Sequence, residues 1–460
     1  MALNRTLAAL LQRTGYKSSF VTGLRRNIIT CPEVVRPKTT GEVLDALKSH
    51  VGYTGDHPAF ASGSLPKLPT SQDELPPRSM RDSYDECIIP LATSLQVQKS
   101  HISASGIVRF GRILEDMDVF AVWLCYRHLQ YPGMSFGVPM PVNVVTALVD
   151  NIHSESIEFP TQFDIKLRGH ISWVGRTSLE STMEVLLLAP DETPKMLTAK
   201  FVMVAKKASS KEAAVVNKLV PSNAEEETIF QKGEASVQRR KAFQEQSILK
   251  VPPNREERML LHKLFQENFD PETYILKSDE CPHGAIWMHD AKLTNVIICQ
   301  PEFENLYNKV FGGFLMRSAY ELAWSTAYLL SGRRPRPYHT DDIWFRKPVE
   351  VGSLLHYEAQ VVYTRENFMQ LNVNATVINP NTGRKEITNV FHFTFQLDGE
   401  DPAPRVAPKS YPDGSSFVAC FVGDLSLHAG LPCPLLVPTA EGSVGNARAD
   451  LSLSKPVQAT

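Results

Sequence analysis

A repeat inside the chain limits what it can fold into more than any other feature. Apolar residues at helical spacing, Val142, Val145, Leu148, Val149 and Ile152, lead into three strand-like runs, FDIKLRGHISWVG, SLESTMEVLLLA and MLTAKFVMVAK. The same order returns with FGGFLMRSAYELAWSTAYLL, then DDIWFRKPVEVG, LLHYEAQVVYT, FMQLNVNATVI and TNVFHFTFQL. Within the strands the alternation is period two, with Glu358, Gln360 and Val362 opposed to Ala359, Val361 and Tyr363, as in an antiparallel sheet with one covered face. The helical segments are apolar enough to be wrapped, as with Phe314, Leu315, Leu322, Ala323, Trp324 and Leu329. The predicted class is α+β: twice over, a long central helix held by a curved antiparallel sheet.

Length fits this reading. At roughly 150 residues per domain, 460 residues make room for two or three units, each with its own core. Residues 1–31, MALNRTLAALLQRTGYKSSFVTGLRRNIITC, carry Arg5, Arg13, Lys17, Arg25 and Arg26, with no acid before Glu33, and read as a mitochondrial transit peptide. Residues 32–81 form a Pro- and Ser-rich leader, 82–206 the first helix-and-sheet domain, and 276–398 the second. Folding is expected to reside in 82–398. Between the domains, 207–275 read as a charged helical linker, with capping-box starts at Ser222-x-x-Glu225 and Asn254-x-x-Glu257. Its charge runs, Glu225 to Glu227 and Arg239 to Lys241, read as a solvated face. The Pro-rich tail, 399–460, is expected to be disordered.

Composition closes several routes. A formal charge of -2 gives no global basic excess for nucleic acid. No uninterrupted apolar run reaches the ~18–20 residues of a spanning helix. Seven scattered cysteines without a CxxC pair argue against a disulfide framework or zinc site. No GxSxG, GxxxxGK[ST], HExxH or strand-following GxGxxG is present, so no metal or redox cofactor is expected. Met288-His289-Asp290 lacks the DxNxxH arrangement of a hydratase and reads as a loop.

One constellation remains. Asn305 lies seven residues before Gly312 (312 - 7 = 305), and Phe311-Gly312-Gly313 opens the second apolar helix. Two glycines permit close approach of a ligand to the backbone, and the amides of a helix start favour negative charge. This motif, with DDIWFRKPVEVGSLL and the segments MRDSYDECIIPL, VRFGRILEDMD, VTALVDNI, HISWVGRTSLE and VFHFTF, resembles the double-hot-dog acyl-coenzyme A thioesterases, in particular their mitochondrial type, over about residues 79–398.

The resemblance implies two hot-dog folds in tandem with an active site between them, hydrolysing fatty acyl-CoA to free acid and coenzyme A. It implies that Gly312 and Gly313 polarise the thioester carbonyl, that Asn305 orients water, and that an acid comes from the other half's helix. With Val142 and Asn143 at the glycine positions, a step of eight selects Asp150 (142 + 8 = 150); the same step gives Tyr320 in the second half (312 + 8 = 320). The upstream position of the first half falls on Ser135 (142 - 7 = 135), so one working site per chain is implied. Asp150 acts as base or as nucleophile, and a one-residue slip would put Glu321 in the acid's place. Asn308 stands where the family often has glycine. Ser154 is a candidate for binding substrate beside Asp150, and Arg176, Arg346 and Lys347 are candidates for the coenzyme A phosphates. Homo-oligomers are expected. A non-catalytic acyl-CoA or nucleotide sensor and a hot-dog hydratase are the alternatives.

Overall fold

The computed structural model describes residues 38–51, 68–131, 140–150, 152–153, 158–208, 210, 212–246, 251–267, 270, 272–273, 281–305, 309–380 and 382–417. The expected transit peptide, Ser135, Ser154 and Asn308 lie outside these. Two helices and one sheet organise the rest. Helix α1 (Phe110–His128) buries Phe110, Ile113, Leu114, Met117, Phe120, Ala121 and Leu124, an i, i+3, i+4 stripe. Strands β1 (Asp85–Ile89), β2 (Val142–Val149), β3 (Asp164–Val174), β4 (Ser178–Leu188) and β5 (Lys195–Lys207) surround it in the order β1-β3-β4-β5-β2.

Helices α2 (Ala224–Gln246) and α3 (Arg255–Glu267) follow. The second half comprises β6 (Lys292–Ile298), helix α4 (Gly312–Ser331), β7 (Pro335–Thr340), β8 (Ile343–Phe345), β9 (Leu354–Arg365), β10 (Phe368–Ile378) and β11 (Lys385–Leu397). Its strands run β8-β11-β10-β9-β6, with β7 also on β11. Antiparallel pairing of β2 with β8, Val149 to Ile343 and Leu148 to Trp344, joins the halves into one sheet that counts thirteen strands among the described residues.

The repeat is metrical. β4 and β10 both span eleven residues and start 190 apart (368 - 178 = 190); β5 and β11 both span thirteen at the same offset (385 - 195 = 190). Even a bulge is repeated, between Ile171 and Trp173 and between Val361 and Tyr363. Inner-face residues alternate along the strands, Leu355, Tyr357, Ala359 and Val361 in β9 and Phe391, Phe393 and Phe395 in β11, each 0–1% exposed. Burying an inner-face Leu, Val or Phe is worth about 1.5–3 kcal/mol, so the helix-on-sheet core, continuous through both halves, carries most of the stability.

Three expectations are corrected here. The segment Val142–Val149 is a strand, and the first half's central helix lies upstream at Phe110–His128. β-Branched Val142, Val144, Val145, Thr146 and Val149 crowd χ1 in a helix and fit a pleated sheet, which overrides a coincidental helical spacing. Folding also reaches beyond 82–398. Lys38–Thr39 pairs in parallel with Cys87 and Ile88, helix Thr40–Val51 buries Val43 and Leu47, and Arg405–Ala407 pairs with Ala285–Trp287. Finally, the run Arg239 to Lys241 is not a wholly solvated face, because Arg240 is 7% exposed.

The caps also refine the reading. Asn254 and Glu257 form the reciprocal box, Asn254 N to Glu257 Oε2 at 2.8 Å and Glu257 N to Asn254 Oδ1 at 2.9 Å. The other box sits one residue later than its sequence signature, with Asn223 Oδ1 accepting from Glu226 N at 2.8 Å.

Candidate active site

Antiparallel helices α1 and α4 cross at their N-terminal halves. A Cβ at Gly111 would lie 3.1 Å from Arg317 Cγ, and one at Gly313 would lie 2.8 Å from Glu115 Cα. These contacts are symmetric, since 111 + 202 = 313 and 115 + 202 = 317. The same offset relates the loops before the helices: Asn305 N donates to Lys309 O at 2.6 Å, as Ser103 N does to Ile107 O at 2.8 Å. Ser103, not Ser135, is therefore the first half's counterpart of Asn305 (305 - 202 = 103).

The offset also pairs Asp118 with Tyr320 (118 + 202 = 320). Asp118 is 0% exposed on α1, and its carboxylate meets the start of α4. Oδ2 accepts from Gly313 N at 2.7 Å, and Oδ1 accepts from Thr146 Oγ1 at 2.6 Å. Thr146 reaches it from β2 at a bulge between Thr146 and Leu148. Gly312 has to be small: a Cβ there would sit 2.9 Å from Asp118 Oδ2 and 3.4 Å from Phe345 Cε1. Gly313 has to be small for a second reason, the backbone of Glu115 behind it.

The neighbouring acids of α1 have cationic partners. Glu115 pairs with Arg112 at 2.7 Å and Arg317 at 3.3 Å, and Asp116 with His101 at 2.7 Å. Asp118 is held by neutral donors. Burial raises its pKa to about 6, a rise partly opposed by the Thr146 hydroxyl and the Gly313 amide and slightly reinforced by Glu115. A carboxyl that ionises near neutrality, set against helix-start amides, is suited to proton transfer or attack beside a developing oxyanion.

Asp150 is placed differently. The count that selected it presumed a helix over 142–152, and in the strand it ends up beside Arg240, whose Nη1 donates to its Oδ2 at 3.3 Å. Glu321 pairs with Arg109. Asn305 organises its loop, its Oδ1 accepting from Lys309 N at 3.2 Å. Arg176 lies at the β3–β4 turn, where its carbonyl accepts from Val216 N at 3.1 Å. Arg346 and Lys347 are exposed and directly follow Phe345; Lys347 pairs with Glu386.

Across the pseudo-twofold, Tyr320 is 6% exposed and packs on Phe110, Phe393 and Phe395, with ring centroids 5.2–5.5 Å apart. An aromatic cluster thus fills the second crossing. Asp118, Thr146 and Ser103 were missed by the sequence reading. The available signal was VRFGRILEDMD: aligning Gly111 with Gly313 sets Asp118 on Tyr320.

A buried acid from one helix, facing the amides of another across a seam, defines a two-lobed acyl-transfer type of site. No family model matches the chain. Acyl-coenzyme A thioesterase 9, mitochondrial, of Mus musculus is 45% identical over 345 residues, 75% of this chain and 77% of that protein. The Homo sapiens protein of the same name is 44% identical over 344 residues, with the same coverage. Among solved structures, an acyl-CoA hydrolase from Staphylococcus aureus is similar at 23% identity and a TM-score of 0.30, covering 32% of this chain and 92% of that one. The chain belongs to the acyl-coenzyme A thioesterase family.

Proposed function

We propose that this protein hydrolyses fatty acyl-CoA thioesters to free acid and coenzyme A in mitochondria, with Asp118 as the reactive carboxylate. The observation that carries the assignment is Asp118 Oδ2 lying 2.7 Å from Gly313 N, in a site 0% exposed at the carboxylate. Kinship with mitochondrial acyl-coenzyme A thioesterases supports the substrate and the compartment. Each half is a hot-dog fold, in tandem, and one working site serves each chain because Tyr320 replaces the second acid.

The chemistry follows from charge. In the tetrahedral intermediate the carbonyl oxygen becomes negative, and the start of α4 stabilises it through the helix dipole and through first-turn amides other than that of Gly313, which Asp118 already accepts from. Asp118 either takes a proton from the attacking water or attacks the carbonyl itself, giving an anhydride that water opens; both routes end in carboxylic acid and thiol. Thr146 fixes the second carboxylate oxygen. Asn305 shapes the loop leading to the amides. Thiolate leaves readily, so the side chains, helix amides and water suffice.

Arg346 and Lys347 follow Phe345, which touches the Gly312 position, and serve the coenzyme A phosphates; Arg176, at a turn, has no described contact to these groups. Chains assemble through surface left open on the sheet, where edge strand β6 exposes Val296 and Ile298 by more than half, at 55% and 54%. The deciding experiment is thiol release from an acyl-CoA series by wild type and Asp118→Asn. Turnover should fall by at least ~10²-fold with folding kept, while Glu321→Gln stays active; full activity in Asp118→Asn ends the assignment.

A further inference from the structure

Helix α2, which follows the first half's strands, delivers an arginine onto that half's sheet. Arg240 Nη1 donates to Asp150 Oδ2 at 3.3 Å and Nη2 to Glu180 Oε2 at 3.2 Å, and the three residues are 7%, 6% and 0% exposed. Lys200 lies 3.4 Å from Glu180, Arg239 lies 4.0 Å from Asp150, and Ser172 Oγ is 3.4 Å from Glu180 Oε1. Nearby, Trp173 Nε1 donates to Glu234 Oε2 at 2.8 Å, so the helix is tied to the sheet at two places. Two carboxylates this deep cannot share a site without a cation, and Arg240 reaches both.

In the other half Gln370 stands where Glu180 stands (180 + 190 = 370); its Nε2 donates to Asp341 Oδ2 at 3.3 Å, and His339 Nε2 meets Asp341 Oδ1 at 3.0 Å. The buried acid there is thus met by residues of its own sheet.

Asp150 also immediately follows β2, the strand that serves the site. Its N–H donates to Lys200 O at 2.8 Å, directly after Val149 pairs with Ile343. Four residues back on the same strand, past the bulge, Thr146 holds Asp118. A bulge re-aims a side chain, and where that side chain goes depends on how the flanks of the bulge are set. We infer that Arg240 is a positioning residue of the thioesterase site: by clamping Asp150 it holds the end of β2 and so keeps the Thr146 hydroxyl on Asp118. This rests on the proposed role of Asp118.

The test is the acid limb of kcat, from about pH 5 to about 9, in Arg240→Ala, Arg240→Lys and Thr146→Val. The Thr146 hydrogen bond lowers the Asp118 pKa, so losing it should raise the midpoint, by roughly 0.5–1 unit. Arg240→Ala should lower kcat by ~10- to 100-fold, with KM little changed, and raise that midpoint as Thr146→Val does; Arg240→Lys should restore part of both. An enzyme that was simply less folded would lose kcat at an unmoved midpoint, and that result overturns the inference. If Thr146→Val itself leaves the midpoint in place, the Asp118 assignment fails instead. Should Arg240→Ala not fold, the triple Arg240→Met, Asp150→Asn, Glu180→Gln leaves no buried carboxylate unpaired and must show the raised midpoint for the inference to stand.

Discussion

Asp118 stores a conflict between stability and chemistry. Its pKa in the folded chain is raised to about 6 from an ordinary 3.8. Between those values the folded state binds more protons than the unfolded one, so stability falls as pH rises through that window. The penalty is absent below about pH 4 and complete above about pH 6, where it amounts to roughly 3 kcal/mol. Asp118→Asn should therefore melt at a higher temperature than wild type at pH 8 and match it at pH 3.5, while losing turnover; equal melting temperatures at both pH values would mean that the carboxyl is not strained by burial. Wild-type kcat should in turn decline as one proton binds near pH 6. The two glycines separate by the same reasoning. Gly312→Ala puts a methyl 2.9 Å from the Asp118 carboxylate, a side chain with some freedom, and should lower kcat by ~10-fold or more with modest loss of stability. Gly313→Ala drives into the Glu115 backbone at 2.8 Å, which cannot yield without parting the helices, and should cost ~1–3 kcal/mol by denaturant midpoint. A reversed order of these two effects would contradict the geometry.

At the level of helices and strands, what could be read from the chain and what could not divides along physical lines. The meanders were readable because period-two alternation places Phe391, Phe393 and Phe395 on one face whatever lies around them. Helix α4 was readable because its stripe is almost free of charge. Helix α1 was not, because Glu115, Asp116 and Asp118 interrupt its apolar pattern: Asp118 is a buried acid where a core helix would carry an apolar residue. Local propensity is broken at the residue proposed to do the chemistry. Asp150 drew attention for the opposite reason, being a carboxylate near an apolar run, and its partner Arg240 comes from a helix whose basic run looks solvated in one dimension. The second crossing shows what abandonment of the acid allows. Tyr320 sits among Phe110, Phe393 and Phe395, and burial raises its hydroxyl far above the ordinary range. Tyr320→Phe should leave turnover within about twofold, whereas Tyr320→Ala should cost ~3–5 kcal/mol through the cavity it opens. A large kcat loss in Tyr320→Phe, measured by thiol release, would reveal a second working site and undo the count of one per chain.

In the molecule as a whole, the continuous sheet among the described residues leaves two ends to manage. One end is covered. Lys38–Thr39 lies against β1, Lys38 pairs with Asp85 at 3.0 Å and rests over the Trp123 ring at 4.6 Å, and the helix that follows seats Val43 and Leu47, at 1% and 3% exposure. The other end is β6, whose outward side is exposed. A chain that began at residue 82 would keep both halves, the seam and Asp118, and would bare the first end as well. Two unpaired edges on one sheet invite end-to-end association. Removal of residues 1–51 should therefore lower the thermal midpoint and make the protein more polydisperse by light scattering. Turnover per folded site should remain, because Asp118, Thr146 and Gly313 take no hydrogen bond or ion pair from that segment among the described residues. Leu47→Ala offers the milder version: a cost of ~2–5 kcal/mol from one emptied site, with the edge still paired and the assembly unchanged. If the shortened chain stays as stable and as uniform as the full one, the sheet's first edge is protected by something other than this segment, and the leader has no structural part in the enzyme.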